Sequence, residues 1–339
     1  MSINLIATTT FGLEAVVKRE CQALGFENIK TSDGKVEFTG TEADIVKANM
    51  WLRCAGRVWV KMGTFKAVTF TELFDQTKAL PWADWIPEDG KFTVVGKSVK
   101  STLFSVSDCQ AIVKKAVVEK LKQTYHTDWF DETGASYTIQ VGILKDVVTL
   151  AIDTSGSGLH MRGYRANALD APLKETLASA MIQLSYWRKN RILLDPFCGS
   201  GTIPIEAAMI ARNIAPGIHR KFASEEWERI GKDLWKKARV EAYQAIDYDV
   251  MPEIYGSDID PDAIELAKAN AEKAGVDDCI TFEVKPCQEI VLPGKYGVMI
   301  TNPPYGERIG ELKEVENMYR ALGGIMKENP TWSTYLITS

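Results

Sequence analysis

Asn302-Pro303-Pro304-Tyr305 follows the apolar run Val298-Met299-Ile300-Thr301, and its residue types suit one kind of chemistry. Two prolines after an asparagine cannot continue a β-ladder and fix the backbone rigidly, so the Asn302 side chain and the Pro303 carbonyl would face a cleft as paired acceptors. An amino group on an aromatic ring is a poor nucleophile because its lone pair is delocalised. Two acceptors gripping its hydrogens draw the nitrogen toward tetrahedral geometry and aim the lone pair at a methyl carbon. Catalysis is then orientation and electrostatics, with no obligatory general base. Tyr305 offers a flat face on which an extruded base can stack. The candidate catalytic residues are therefore Asn302, Pro303, Pro304 and Tyr305. The plainer alternative, a proline-rich turn that merely ends a strand, is outweighed by two further motifs that precede it in order.

The first is Ile192-Leu193-Leu194-Asp195-Pro196-Phe197-Cys198-Gly199-Ser200-Gly201-Thr202, an apolar strand entering a glycine-rich turn and then a helix from near Ile203. Glycines let the backbone approach a ligand closely, and the helix N-terminus presents free N–H groups. Asp195 at the strand end can take a ligand's ammonium group, directly or through water. Alone, such a turn is as often a plain strand-to-helix connection. The second motif, Ile254-Tyr255-Gly256-Ser257-Asp258-Ile259-Asp260-Pro261, is a strand ending in acidic residues. An acidic side chain at the tip of the second strand of such a sheet can bind both hydroxyls of a ribose. Asp258 is that candidate, whereas Asp260, beside Pro261, reads as a helix cap. The glycine turn lacks a lysine of the P-loop kind, which disfavours a nucleoside triphosphate. Cys198 has no neighbouring base to make it a nucleophile.

These residues need a sheet to carry them. Strands are expected at 192–195, 254–258, 280–284, 298–302 and 333–338 with helices between, which predicts a doubly wound, mainly parallel sheet. Ahead of it the pattern changes. A strand at 4–8, a helix at 13–24, a strand at 36–39, a helix at 42–52 and a strand at 58–62 predict a small α+β sandwich of the ferredoxin type. A helix after Thr69, a strand at 91–97, a helix at 107–122 and a hairpin of 137–144 with 147–153 follow, before the hinge Gly156-Ser157-Gly158. Three domains result, covering 1–62, 63–158 and 159–339, as suits a chain of 339 residues.

The composition, with 45% hydrophobic and 25% charged residues, is that of a globular protein. No apolar run is long enough to span a bilayer and the opening residues form no leader, so a cytoplasmic location without membrane contact is expected. Six scattered cysteines and three histidines predict buried free thiols and no metal. A net charge of −5 opposes binding of polyanions by bulk charge, so any nucleic-acid contact must rest on local clusters. Lys97, Lys100, Lys114 and Lys115, with Arg162 and Arg165 in the linking segment 159–165 that opens the third domain, are the candidates for phosphate contacts; a solvated helical face is the alternative for the lysines. The segment 215–249 is long for a connection after the first helix of the sheet, and either helps hold substrate or is a surface helix.

Asp-Pro-Phe-Cys-Gly-Ser-Gly followed by Asn-Pro-Pro-Tyr-Gly-Glu-Arg resembles the class I methyltransferases that modify exocyclic amines of nucleic-acid bases. Leu159-His160-Met161-Arg162-Gly163-Tyr164-Arg165 with Ala171-Pro172-Leu173-Lys174-Glu175 is similar to the THUMP-containing ribosomal RNA guanine-N2 methyltransferases, and Ser101-Thr102-Leu103-Phe104-Ser105 with Gln110 and Lys114-Lys115 resembles the THUMP module, an RNA-binding domain behind a ferredoxin-like one. The resemblance covers nearly the whole chain. It implies a Rossmann-like methyltransferase domain that uses S-adenosylmethionine, leaves S-adenosylhomocysteine and needs no metal. Asp195, Gly199 and Gly201 would surround the methionine part of the cofactor, with Pro196, Phe197, Cys198 and Thr202 from the same loop; Asp258 would take the ribose, with Ile259 beside it. Relatives often carry an acidic residue after the third strand for the adenine amine, where this chain has Pro286-Cys287-Gln288; Gln288 is expected to substitute through its amide oxygen. The fold also normally continues for two strands past the fifth, which are expected to be missing. The implied substrate is guanine N2 of 23S ribosomal RNA or a large-subunit assembly intermediate, with no obligate protein partner. Transfer RNA, adenine N6, or a non-catalytic RNA-binding assembly factor on the same fold are the alternatives.

Overall fold

The computed structural model describes residues 2–165, 172–304 and 312–338, the last segment's side chains from residue 316 onward. The chain forms two compact units, one of residues 1–159 with 221–239 and one of residues 160–220 with 240–339.

The first unit opens with β1 (Ile3–Thr8), α1 (Glu14–Ala23), β2 (Glu27–Ser32), β3 (Lys35–Gly40), α2 (Glu42–Trp51) and β4 (Arg57–Lys66), the βαββαβ order of a ferredoxin-like domain. It continues with α3 (Phe70–Lys78), β5 (Lys91–Val99), α4 (Val106–Tyr125), β6 (Ser136–Leu144) and β7 (Val147–Asp153). One seven-stranded sheet of order β2-β3-β1-β4-β7-β6-β5 runs through both parts. β4 joins them: Arg57 to Val60 pair with β1, and Trp59 to Lys66 pair with β7 across a register shift between Lys61 and Gly63. The boundary read at residue 62 thus falls inside a shared strand. The hairpin of β6 and β7 turns at Lys145 and Asp146, both at positive φ (50° and 65°), as a type I′ turn requires. β2, absent from the sequence reading, is an exposed edge strand whose polar residues show no apolar alternation.

Residues 221–239 lie in this first unit and not in a free surface helix. Trp227 stacks on Tyr137 at 4.6 Å between ring centroids and donates its indole N–H to the Ser136 carbonyl at 3.1 Å. Arg229 lies over the Trp85 ring and pairs with Glu42 at 2.9 Å. Phe222 stacks on Trp235.

The second unit carries α5 (Glu175–Leu184), β8 (Leu193–Asp195), α6 (Thr202–Ala211), the end of α7 (Lys232–Gln244), β9 (Ile254–Asp258), α8 (Pro261–Ala274), β10 (Ile280–Val284), β11 (Val298–Thr301), α9 (Leu312–Glu328) and β12 (Ser333–Leu336). Its strands pair in parallel in the order β10-β9-β8-β11-β12. β11 is buried at every residue because a parallel strand is covered on both faces. Leu194 and Met299 pack there with Met318 and Leu322 of α9 and with Trp332. The carboxyl ends of β8, β9 and β11, where all three motifs fall, meet along one edge of this sheet, the place where such folds bind ligands.

Candidate active site

Asp195 ends β8 with only 1% of its surface exposed. Its Oδ1 accepts the Phe197 N–H at 3.2 Å and the Thr301 hydroxyl at 2.7 Å. Burial pushes its carboxyl up to about 7, against those hydrogen bonds and helped by the nearby charge of Asp258. So placed, Asp195 organises the loop, tying the start of the glycine turn to the end of β11. Pro196 and Cys198 are buried beside it and Phe197 half-buried. The Cys198 thiol is pushed well above its usual range by burial, then by Asp195 and Asp258, so it stays protonated and unreactive. All six cysteines are buried and free.

The glycine turn is held from three sides. Asp258 accepts the Gly199 N–H at 2.9 Å through Oδ2 and the Asp260 N–H at 3.1 Å through Oδ1. Asp260 in turn caps α8 by accepting from Asp262 N–H at 2.9 Å. Cys198 N–H donates to the Ser257 carbonyl at 3.0 Å, and Asn270 of α8 donates to the Ser200 carbonyl at 3.1 Å. Gly201, at φ +80°, caps α6 and sits so close to α8 and β10 that a Cβ would meet that of Ala267 at 3.0 Å and the Phe282 ring at 3.1 Å. Gly199, at φ +50°, differs: a Cβ there would meet nothing within 4 Å. Open space therefore lies above Gly199, next to the N-terminus of α6, and Ile259, just past the tip of β9, is exposed. Thr202, the first residue of α6, is buried.

β11 pairs with β8 through Val298 opposite Leu193 and Met299 opposite Leu194, so Thr301 reaches the level of the loop and Asn302 stands just past it. The Thr301 hydroxyl on Asp195 fastens the two strand ends together. Asn302 and Pro304 are half-buried and Pro303 buried, which puts the corner at the cleft's edge. Tyr305 lies outside the described residues. Gln288 is exposed in a short turn of residues 287–289, where its Oε1 accepts the Cys287 thiol at 3.4 Å.

Two expected RNA contacts are corrected. Arg162 is 2% exposed, and its guanidinium pairs with Glu206 of α6 at 3.3 Å, alongside Tyr164 and Ser179, whose hydroxyls donate to the same carboxylate at 3.2 Å and 2.5 Å. Arg165 pairs with Glu175 at 3.0 Å and donates to the Thr202 hydroxyl at 2.8 Å and the Leu173 carbonyl at 2.6 Å. Burial pushes Glu175 up to about 7, with Arg165 opposing the rise. These arginines brace α5 and α6 from within, because a buried carboxylate without a partner is far costlier than a solvated arginine is useful. In the first unit, Lys97, Lys100, Lys114 and Lys115 are exposed but divided. Lys114 and Lys115 sit on α4 over the Phe92 and Phe74 rings, whereas Lys97 projects from β5 in register with Gly142, on the opposite side of the strand from Phe92.

The residues missed were Thr301, Asn270, Glu175 and Glu206. Asn270 had a signal: it is a polar residue on the buried stripe of α8 that holds Ala263, Ala267, Ala271 and Ala274. Glu206, inside an otherwise apolar helix buried at nearly every position, had a similar one. Among the described residues no group of three His, Cys, Asp or Glu side chains could hold a metal ion.

Comparison with known proteins places these features in company. Residues 162–339 match the family model of the RMKL-like methyltransferase domain, residues 4–59 the RlmL ferredoxin-like domain, and residues 67–153 the THUMP domain. A Bacillus subtilis (strain 168) protein provisionally named RNA methyltransferase YpsC is 52% identical over 338 residues, covering 99% of this chain and 88% of its own. A Listeria monocytogenes structure described as a "predicted N6-adenine-specific DNA methylase" superposes with a TM-score of 0.96 at 51% identity, over 100% of this chain and 89% of that one. The methyltransferase-like SMU.472, crystallised in complex with SAH, superposes at 0.94 with 40% identity over 99% and 89% of the two chains.

Proposed function

Since the chain belongs to the RMKL-like methyltransferase family, with an RlmL-type ferredoxin-like domain and a THUMP domain ahead of the catalytic fold, we propose that it methylates the exocyclic N2 amine of a guanine in 23S ribosomal RNA. The observation that carries the reading is the Thr301–Asp195 bond, which fixes the start of the Asn302-Pro303-Pro304 corner against the glycine turn. Bound S-adenosylmethionine supplies an electrophilic methyl carbon. The protein's part is to hold an aromatic amine still: the Asn302 side-chain oxygen and the Pro303 carbonyl accept its two N–H bonds, and both are carried by a backbone that prolines keep rigid. In this reading the space above Gly199 takes the methionine end, and Asp258, which braces the turn from the tip of β9, takes the ribose. Once the amine has been methylated, its surplus proton passes to solvent, so no side chain need act as a strong base.

The same corner serves an adenine N6 amine, and the Listeria relative's description names that chemistry. Nucleosides from 23S ribosomal, transfer and genomic nucleic acid, compared by mass spectrometry in cells with and without the gene, separate the readings. Loss of one N2-methylguanosine from 23S ribosomal RNA is expected. Loss confined to transfer RNA, or of an N6-methyladenine, would replace the proposed substrate.

A further inference from the structure

The open face of the seven-stranded sheet carries a hollow of about 410 Å³ bounded by Arg57, Trp59, Val95, Thr138, Gln140 and Asp153. It lies wholly in the first unit. Register places these side chains on one face: Trp59 is opposite Asp153 on β7, Asp153 is opposite Thr138 on β6, and Val95 on β5 is opposite Gln140. Phe92, Tyr137 and Ile139, which alternate with them, are buried on the other face.

The lining has a recognisable chemistry. Arg57 and Asp153 neutralise each other at 2.6 Å, and Asp153 also accepts the Ser155 N–H at 2.9 Å, so the floor carries no free charge for an anion. Around it stand an indole, a primary amide and a hydroxyl. The Trp59 indole N–H is buried, so the donors and acceptors that the hollow offers are those of Gln140 and Thr138. A ring face beside groups that both donate and accept is the complement of an unpaired nucleobase, read by stacking and by hydrogen bonds to its edge. One pleat beyond Val95 on the same side of β5 is Lys97, exposed and placed for the phosphate of that nucleotide.

We propose that this hollow binds a single unpaired nucleotide of the RNA substrate, its base on Trp59, its edge on Gln140 and Thr138, and its phosphate on Lys97. The inference rests on the RNA reading above and adds the place and form of contact. It separates three of the basic candidates: Lys97 belongs to this site, while Lys114 and Lys115, on α4 behind the sheet, do not.

The test uses the full-length protein and a fluorescein-labelled, mixed-sequence single-stranded RNA of about ten nucleotides, with the matching RNA duplex as control, followed by anisotropy. Trp59→Leu should weaken single-strand binding by about five- to hundredfold, the range of base stacking on an aromatic ring. Trp59→Phe should retain most of it. Gln140→Ala, a partly exposed position whose loss does not endanger the core, should weaken it severalfold, whereas Lys114→Ala should not. Wild-type protein that binds neither RNA form would sink the RNA reading itself. Wild-type binding that Gln140→Ala and a folded Trp59→Leu leave unchanged, or a preference for the duplex, would overturn this site alone.

Discussion

The Thr301 hydroxyl lies 2.7 Å from Asp195 Oδ1, a hydrogen bond between the ends of two adjacent parallel strands that carry different motifs. Because Asp195 is buried, this bond both satisfies a costly carboxylate and sets the distance between the glycine turn and the asparagine-proline corner. Thr301→Val keeps the shape and removes the donor. It should lower unfolding free energy by about 1–3 kcal/mol and cut turnover, while Thr301→Ser should recover both. Urea unfolding and methyl-transfer assays read the two effects. A valine variant with normal turnover would mean that the corner is positioned by other contacts.

The raised pKa of Asp195 makes stability depend on pH. Its folded value is about 7 against an ordinary 3.8, so between these limits the folded protein holds a proton the unfolded chain has released. The contribution is present in full below about pH 4 and is lost as pH rises through 7. Glu175, with its folded value also about 7 against 4.5, acts in the same direction. Burial raises Asp153 as well. Asp195→Asn removes one of these groups, so the fall in unfolding free energy from pH 4.5 to 7.5 should be shallower than in the wild type. Parallel curves for the two proteins would show that Asp195 titrates normally.

Asn302→Ala should reduce turnover by at least about a hundredfold, as loss of a positioned polar group at a developing charge does, and leave affinity for S-adenosylhomocysteine nearly unchanged. Calorimetric titration with that product, beside a single-turnover assay, makes the comparison. Equal losses in binding and turnover would place Asn302 on the cofactor and not on the target amine.

Arg162→Met should behave as a core mutation. It leaves the Glu206 carboxylate buried with only hydroxyl partners, at a cost of about 3–5 kcal/mol, and lowers the melting temperature. Binding of RNA per folded molecule should not change at a temperature where the variant is folded. A selective loss of RNA affinity with normal stability would restore the guanidinium to the surface role that its place in the linking segment 159–165 suggested.

Much of this architecture is legible in the amino-acid order, and the exceptions share a cause. Val298 to Thr301 and Ile254 to Asp258 announce buried parallel strands because covered strands must be apolar throughout, and glycine and proline mark the turns that end them. β2 leaves no such trace, being a polar edge strand. Trp227 looks like any surface aromatic until its partner Tyr137, distant in sequence, is known. Arg162 and Arg165 read as a basic cluster because their carboxylates, Glu206 and Glu175, lie elsewhere in the chain. Local pattern therefore reveals what solvent and backbone impose, and it hides pairings decided by the tertiary fold.

Gly199 and Gly201 offer the sharpest test of where the cofactor lies, because they share a left-handed backbone and differ in what surrounds them. Alanine at either position meets strain of about 1–2 kcal/mol. At Gly201 the new methyl also runs into Ala267 at 3.0 Å and Phe282 at 3.1 Å. Overpacking of that kind adds about 1–3 kcal/mol, so Gly201→Ala should be the less stable variant and should loosen the whole turn. At Gly199 the methyl enters empty space, so Gly199→Ala should fold with only the smaller penalty yet bind S-adenosylhomocysteine at least tenfold more weakly, its methyl occupying room the methionine end needs. Thermal melts and calorimetric titrations of both variants read stability and affinity separately. Wild-type affinity in a folded Gly199→Ala protein would show that the space above this residue is not where the cofactor sits.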